Sequence, residues 1–516
     1  MSEQDHGNRN AGSGGGRARR PSRRDSGTRD GGGRGARERS QRAPRVEISP
    51  ARLVAYDVLR DVDERDAYAN LALPSRIREA RLDGRDAGLA TELAAGALRG
   101  RGRYDRIIEL AAGRPVADID SRTLNVLRLG VHQLLSMRTA AHAAVNESVE
   151  LQRRVANPNA AGFVNGVLRA IGRVSVEDWD TRISTEAKNP DEALAVRTSH
   201  PAWIVRALRD ALRAEGREDE LEVLLAADNV APRVSVVVLP GWDAESYAEQ
   251  TSEFADEDSS LRPRGPSPVG WELTGGDPVR AIEALKLPEG VARVQDQGSQ
   301  LAALALTRAR SMDGDERWLD LCAGPGGKTA LLTAEALLGG ATVRANEVSP
   351  HRAELVRRAT VAVENGVHIV THDGREDEAF GDPATTFDRI LVDAPCSGLG
   401  ALRRRPEARW RKQPGDLPEL TALQGELLDA AVAHLAPGGV LAYVTCSPHL
   451  AETRVTVDRL LKRHPELRER DAKAVVRGIA RGDLDLAGDA LSVQLWPHRH
   501  GTDAMFIALL ERTDSP

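Results

Sequence analysis

Three cysteines, Cys322, Cys396 and Cys446, are the only thiols in this 516-residue chain, and each closes a short apolar run: WLDLC, ILVDAPC and VLAYVTC. Buried parallel strands read as such runs, so all three thiols are expected at the carboxyl edge of one sheet, where open α/β folds bind their ligands. Cys396 and Cys446 are candidate thiolates, the form in which a cysteine acts as a nucleophile. Cys322 opens the turn Ala323, Gly324, Pro325, Gly326, Gly327 and Lys328, which is lean enough for a ligand to meet bare backbone. Its own thiol reads as a small buried hydrophobe.

Two phosphate-binding patterns fail at this turn. A P-loop, and with it an NTPase, would need glycine where Cys322 stands, and Gly324, Gly326 and Gly327 lie too close together for a dinucleotide fingerprint. The shared geometry survives: a glycine turn after a strand, then an acidic residue, Glu347, twenty positions past Gly327 to hold ribose hydroxyls. A nucleoside ligand without a diphosphate fits, S-adenosylmethionine above all. Neither a C-x-x-C nor a histidine pair accompanies the cysteines, so no metal is expected.

Several elements must position these residues. Strands are expected at 318–321, 342–348, 367–370, 387–392 and 439–445, alternating with helices at 328–338 and 349–363; that rhythm predicts a doubly wound, Rossmann-like α/β domain over 291–512. Residues 189–290 read as a helical linker with a small α+β module. Residues 48–175 carry apolar stripes near period 3.6 and predict an all-α bundle. Residues 1–46 hold 12 arginines against five acidic residues and almost no apolar side chains, which predicts a disordered basic arm suited to RNA phosphates. Few cysteines without paired spacing point to the reducing cytoplasm, and an apolar run near the roughly 18 residues of a membrane span is lacking.

The helical segment resembles the NusB-like RNA-binding domain through Ala51 to Leu59, Tyr68-Ala69-Asn70, Leu127 to Leu135, Ala144 to Val149 and Phe163 to Arg169. The remainder resembles the RsmB/Sun/Fmu family of 16S rRNA cytosine-5 methyltransferases: Val294 to Gln297, the glycine turn, Asp393-Ala394-Pro395-Cys396-Ser397-Gly398, Gly400 to Trp410 and Val444-Thr445-Cys446-Ser447. That resemblance implies methyl transfer from S-adenosylmethionine to carbon 5 of one cytidine in 16S rRNA, through a covalent cysteine adduct at carbon 6. It makes Cys446 the nucleophile and Cys396 the residue that aids its release, with Asp393 and Lys328 at the base; the residues alone leave the two thiols interchangeable. Cys322 to Lys328 are then expected around the methionine part of the cofactor, Glu347 on the ribose, Asp373 by the adenine and Asp393 near the methyl group. Lys328, one of six lysines against 65 arginines, suggests a need for a compact ammonium. Arg403, Arg404, Arg405, Arg409 and Trp410 read as phosphate and stacking contacts. The expected partner is RNA, 16S rRNA in particular, met by a monomer without a membrane. The alternatives are a non-enzymatic, antitermination-like RNA-binding factor and a methyltransferase acting on another RNA.

Overall fold

The computed structural model describes residues 48–242 and 261–513, so the expectations for the basic arm and for the acidic run 243–260 lie outside the described residues. Helices Pro50–Arg65, Ala69–Glu79, Gly84–Arg99, Arg101–Ala112, Ser121–Leu135, Ala141–Val155 and Ala161–Ile171 form the N-terminal bundle. Asp83 and Asp120 start two of them by accepting from the backbone N–H of Asp86 and Thr123, donors that a helix leaves unpaired. Ser121–Leu135 is the central helix, buried throughout from Thr123 to Gln133. Its Arg128 is compensated inside the bundle by Asp105 at 2.7 and 2.8 Å, Asn125 at 2.9 Å and Asp63 at 3.1 Å, as a buried charge requires.

Helices Val176–Glu186, Pro190–Arg197, Ala202–Ala214 and Leu221–Ala227 lead onward. Ala202–Ala214 places Ile204, Val205, Leu208 and Leu212 in one apolar cluster with Leu399, Leu402 and Trp496 of the C-terminal region. A small antiparallel sheet follows, made of β1 (Ser235–Val238), β2 (Leu261–Pro263), β3 (Gly270–Leu273) and β4 (Ala292–Val294) in the order β2-β3-β1-β4.

The large sheet comprises β5 (Arg317–Asp320), β6 (Thr342–Asn346), β7 (Val367–Val370), β8 (Phe387–Asp393), β9 (Leu435–Thr445), β10 (Leu467–Arg470), β11 (Val493–Gln494) and β12 (Phe506–Arg512). Its order is β10-β12-β9-β8-β5-β6-β7, with β11 paired to β12. The five strands read from sequence are mutually parallel. The sheet is nevertheless mixed, because β12 runs antiparallel to both β9 and β10. Chain order reverses at β5, with β6 on one side and β8 on the other, so the loops leaving β5 and β8 diverge into a crevice. No helix among the described residues is long and apolar enough to cross a membrane.

The arginine-rich segment is mostly not available to RNA, which corrects the sequence expectation. Arg403 bonds Asp503 at 3.0 Å and the Gly501 carbonyl at 2.7 Å, and Arg404 bonds Asp503 at 3.0 Å and Asp296 at 2.7 Å. Arg409 is fully buried and donates to Asn229 Oδ1 and the Asp228 carbonyl at 2.7 Å, the Ser199 carbonyl at 3.0 Å and the Arg99 carbonyl at 3.3 Å. Arg411 reaches the Ala67 and Val62 carbonyls at 2.7 and 3.2 Å, while the Ala69 amide donates to Glu407 at 3.1 Å. The Trp410 ring lies so close to Gly102 that a Cβ there would come within 2.4 Å of it. Residues 403–411 are therefore a clasp holding the helical region to the sheet; Arg405 alone of its arginines stays exposed.

Arg409→Ala strands three buried carbonyls and the half-buried Asn229 side chain, and each unpaired buried group costs about 1–3 kcal/mol. The variant is expected to lose roughly 3 kcal/mol or more of stability in urea unfolding, with Arg409→Lys recovering little because one ammonium cannot reach four acceptors. An unchanged unfolding midpoint would show the clasp to be incidental.

Candidate active site

The loop leaving β5 is built around its glycines. Gly326 has φ 101°, and a Cβ on it would stand 2.5 Å from Ala359 Cβ, on the helix Pro350–Ala359 that packs over the turn. A Cβ on Gly324 would stand 2.2 Å from Glu347 Oε2, which instead accepts the Gly324 amide at 2.9 Å. Glu347 also accepts from the Ser349 amide at 3.1 Å, and Arg352 donates to the Gly324 carbonyl at 2.5 Å. Asn346, at the end of β6, donates to the carbonyls of Leu321 and His372 and accepts from the His372 amide, pinning three loops to one another. The bare backbone of this turn, and the buried Oδ1 of Asp320 that has no hydrogen-bond partner, suit a nucleoside ligand bearing positive charge.

Beside the turn, Lys328 Nζ bonds Asp393 Oδ2 at 2.8 Å. Burial disfavours the ammonium, but the Asp393 carboxylate more than offsets this and raises the Lys328 pKa, so the lysine is a fixed cation. Asp393 ends β8 opposite Val444 of β9, and this register brings the next residues of both strands to the same edge. Cys396 Sγ and Cys446 Sγ lie 3.4 Å apart there.

The two thiols are electrostatically unequal. The hydrogen bond from Cys396 lowers the Cys446 pKa, with Lys328 and Arg405 acting in the same direction against burial and Asp393. That hydrogen bond and burial push Cys396 well above the usual thiol range. Lys328 and Arg405 thus favour a thiolate at Cys446, and Glu452 opposes one at Cys396. Cys322 is raised far above the usual range by burial and by the surrounding carboxylates of Asp320, Asp393 and Glu347, which disfavours its thiolate.

Residues 309–511 match the family of 16S rRNA methyltransferases RsmB/F, and residues 49–173 match the NusB family. A Mycobacterium tuberculosis relative, Rv1407, whose name goes no further than methyltransferase, is 47% identical over 92% of this chain and 99% of its own length. The ribosomal RNA small subunit methyltransferase B of Erwinia tasmaniensis is 32% identical over 90% of this chain and 99% of its own. The chain belongs to the RsmB/F family. The fold is also that of the crystal structure of PH0851, with a TM-score of 0.72 and 22% identity, covering 91% of this chain and all of that one. As an RsmB/F protein, the chain is an S-adenosylmethionine-dependent RNA methyltransferase.

Of the residues expected at the RsmB/F site, the turn 322–328, Glu347, Asp393, Cys396 and Cys446 share the crevice edge. Asp373 follows β7, and its carboxylate is taken by Arg375 at 2.6 and 2.9 Å, which holds its pKa below the usual range. Sequence reasoning missed a buried carboxylate, Glu452, that ties the two cysteine loops together. It accepts the Ser397 amide at 2.7 Å, the Ser397 hydroxyl, the Ser447 hydroxyl at 2.7 Å and the Gln424 amide at 3.2 Å. Gln424 also holds the Pro395 carbonyl at 2.9 Å, and Gly400 N–H bonds the Cys446 carbonyl at 2.8 Å. One signal was present: both Cys396 and Cys446 are followed directly by serine, Ser397 and Ser447. Asp320 was also missed, an acid inside an apolar strand.

Glu452→Ala removes the shared acceptor and frees both loops, and misplacement of this order costs up to about a hundredfold in rate. Methyl transfer is expected to fall about ten- to hundredfold, and the pH at which iodoacetamide alkylates Cys446 to shift upward. Alkylation on an unchanged pH curve would remove Glu452 from the thiol geometry.

Burial raises Asp320 from 3.8 to about 7, with Asp393 adding to the shift against the Thr329 hydroxyl bonded to it at 2.7 Å. The folded chain then keeps a proton that the unfolded chain releases, so stability declines as pH rises from about 4 through about 7. Asp320→Asn is expected to raise the melting temperature little at pH 5 and more at pH 8. A gain independent of pH in calorimetry would refute this account.

Proposed function

We propose that this protein methylates carbon 5 of a cytidine in 16S rRNA, with Cys446 as the attacking thiolate and Cys396 as the group that aids elimination. The single observation that carries this reading is the pair of thiols 3.4 Å apart beside the Lys328–Asp393 ion pair and the glycine turn. The curated relatives named ribosomal RNA small subunit methyltransferase B support the choice of RNA.

Carbon 5 of cytosine is a poor nucleophile until something adds to carbon 6, and a thiolate suits that conjugate addition. Cys446 sulfur bonds to carbon 6 while the electron pair of the 5,6 double bond moves into the ring, so carbon 5 becomes nucleophilic and charge builds toward N3. Asp393 accepts from the amino group of cytosine, and the Lys328 ammonium offsets the charge at N3. S-adenosylmethionine, held by Cys322 to Lys328 with Glu347 on its ribose side, Asp373 by the adenine and Asp393 near the methyl group, supplies an electrophilic methyl group. After methylation, Cys446 is a neutral thioether and its share of the raised Cys396 pKa is gone, leaving that of burial and Glu452. Cys396, having released its proton to solvent, takes the carbon 5 proton; that electron pair restores the 5,6 double bond and the Cys446 sulfur leaves as thiolate.

The two substitutions should differ in kind. Cys446→Ala is expected to lose methylation by on the order of a thousandfold or more and to form no protein–RNA adduct. Cys396→Ala should accumulate an adduct that survives denaturing electrophoresis when S-adenosylmethionine and 16S rRNA are both present. Bisulfite sequencing of 16S rRNA incubated with the wild-type protein should reveal one protected cytidine. The adduct appearing in Cys446→Ala and not in Cys396→Ala would reverse the two roles, and no protected cytidine would refute the substrate.

A further inference from the structure

Tyr68 lies at the start of helix Ala69–Glu79 with 45% of its surface exposed, and the guanidinium groups of two clasp arginines lie over its ring. Arg411 Cζ is 5.2 Å and Arg405 Cζ 5.4 Å from the ring centroid. The two arginines are not equivalent. Arg411 is committed to the Val62 and Ala67 carbonyls, whereas Arg405 is exposed and makes no ion pair with any described residue.

Arg405 is also close to the chemistry. Its amide bonds the Ala401 carbonyl at 3.0 Å, one turn after Gly400, whose own amide bonds the Cys446 carbonyl at 2.8 Å. Its charge reaches the Cys446 thiol. An exposed aromatic ring from the helical region thus meets a cation free of ion pairs on the segment whose Gly400 amide bonds the Cys446 carbonyl.

We propose that Tyr68 and Arg405 form a subsite for the nucleotide adjoining the target cytidine, whose base takes the place of the Arg405 guanidinium on the Tyr68 ring while the displaced guanidinium pairs with its phosphate. This rests on the reading that the substrate is a cytidine within RNA. Physical necessity supplies the reason for such a site. A cytosine must leave its stack to meet Cys446, and its neighbour then loses a stacking partner. An aromatic side chain replaces that partner for any base, and an arginine beside it suits a phosphate. The clasp formed by Arg409, Arg411 and Glu407 fixes Tyr68 relative to Cys446, which a stacking platform requires.

The test uses the full-length protein and RNA fragments of 16S sequence carrying 2-aminopurine beside the cytidine, on either the 5′ or the 3′ side. Stacking quenches this fluorophore, so the readout does not depend on turnover. Wild type should quench at one of the two positions, Tyr68→Phe should do the same, and Tyr68→Ala should not. In methyl transfer, Tyr68→Ala should raise the KM for RNA at least about fivefold. An abasic residue at the quenched position should cost wild type a similar factor and Tyr68→Ala nothing further. Quenching that persists in Tyr68→Ala, or the absence of quenching by wild type at both positions, would overturn the subsite while leaving the proposed reaction standing. Methylation absent from wild type together with Tyr68-dependent quenching would instead refute the reaction and retain the stacking site.

Discussion

Two sulfur atoms 3.4 Å apart in a half-buried site cannot both carry a negative charge at moderate cost, and this restriction organises the rest of the active-site region. One proton must remain between them, so one thiol is the acceptor and the other the donor. Surrounding charges decide which. Lys328 and Arg405 favour the anion at Cys446, whereas Glu452 lies on the Cys396 side and opposes an anion there. The same asymmetry would be lost if either sulfur drifted by a water's width. Several polar groups are spent on preventing this: Glu452, Gln424, Ser397, Ser447 and the Tyr443 hydroxyl form one buried network under both loops. Fully paired networks of this kind are rigid, and partly paired ones are costly.

Much of this was legible in the sequence because each signal was local. The strands β5, β6, β7, β8 and β9 announce themselves as apolar runs, and the reactive residues fall at their ends because the backbone of an open parallel sheet offers its free loops there. The glycine turn was legible for a similar reason. Its cause was only half visible: Gly326 is required by the approach of Ala359 on the following helix as well as by its left-handed backbone. β12 was not read, and its antiparallel direction could not have been, since strand polarity is set by where the chain returns and leaves no mark on composition.

The arginines show most clearly where local reading fails. Arg403, Arg404, Arg405, Arg409 and Arg411 look alike in sequence, a basic stretch beside a reactive cysteine. Their fates depend on partners 98 to 349 positions distant in the chain: Gly501 and Asp503 for Arg403, Arg99 and Ser199 for Arg409, Val62 and Ala67 for Arg411. A guanidinium suits such interior sites because its five donors can satisfy several carbonyls at once. Nothing within a short window distinguishes an arginine that binds carbonyls from one that awaits phosphate.

The loop that carries Cys396 and the clasp that holds the helical region are one continuous segment, from Cys396 through the Gly400 contact to Arg411. The apolar cluster of Leu399 and Leu402 with Ile204, Leu208 and Trp496 lies inside that segment, so the linker helices press on the same few residues that fix Gly400 against Cys446. A Cβ on Gly400 would stand 2.0 Å from the Ala504 carbonyl oxygen, which leaves this loop little room to adjust. The helical region and the loop that carries Cys396 thus meet on one continuous segment, residues 396–411, with Gly400 packed against both Cys446 and Ala504.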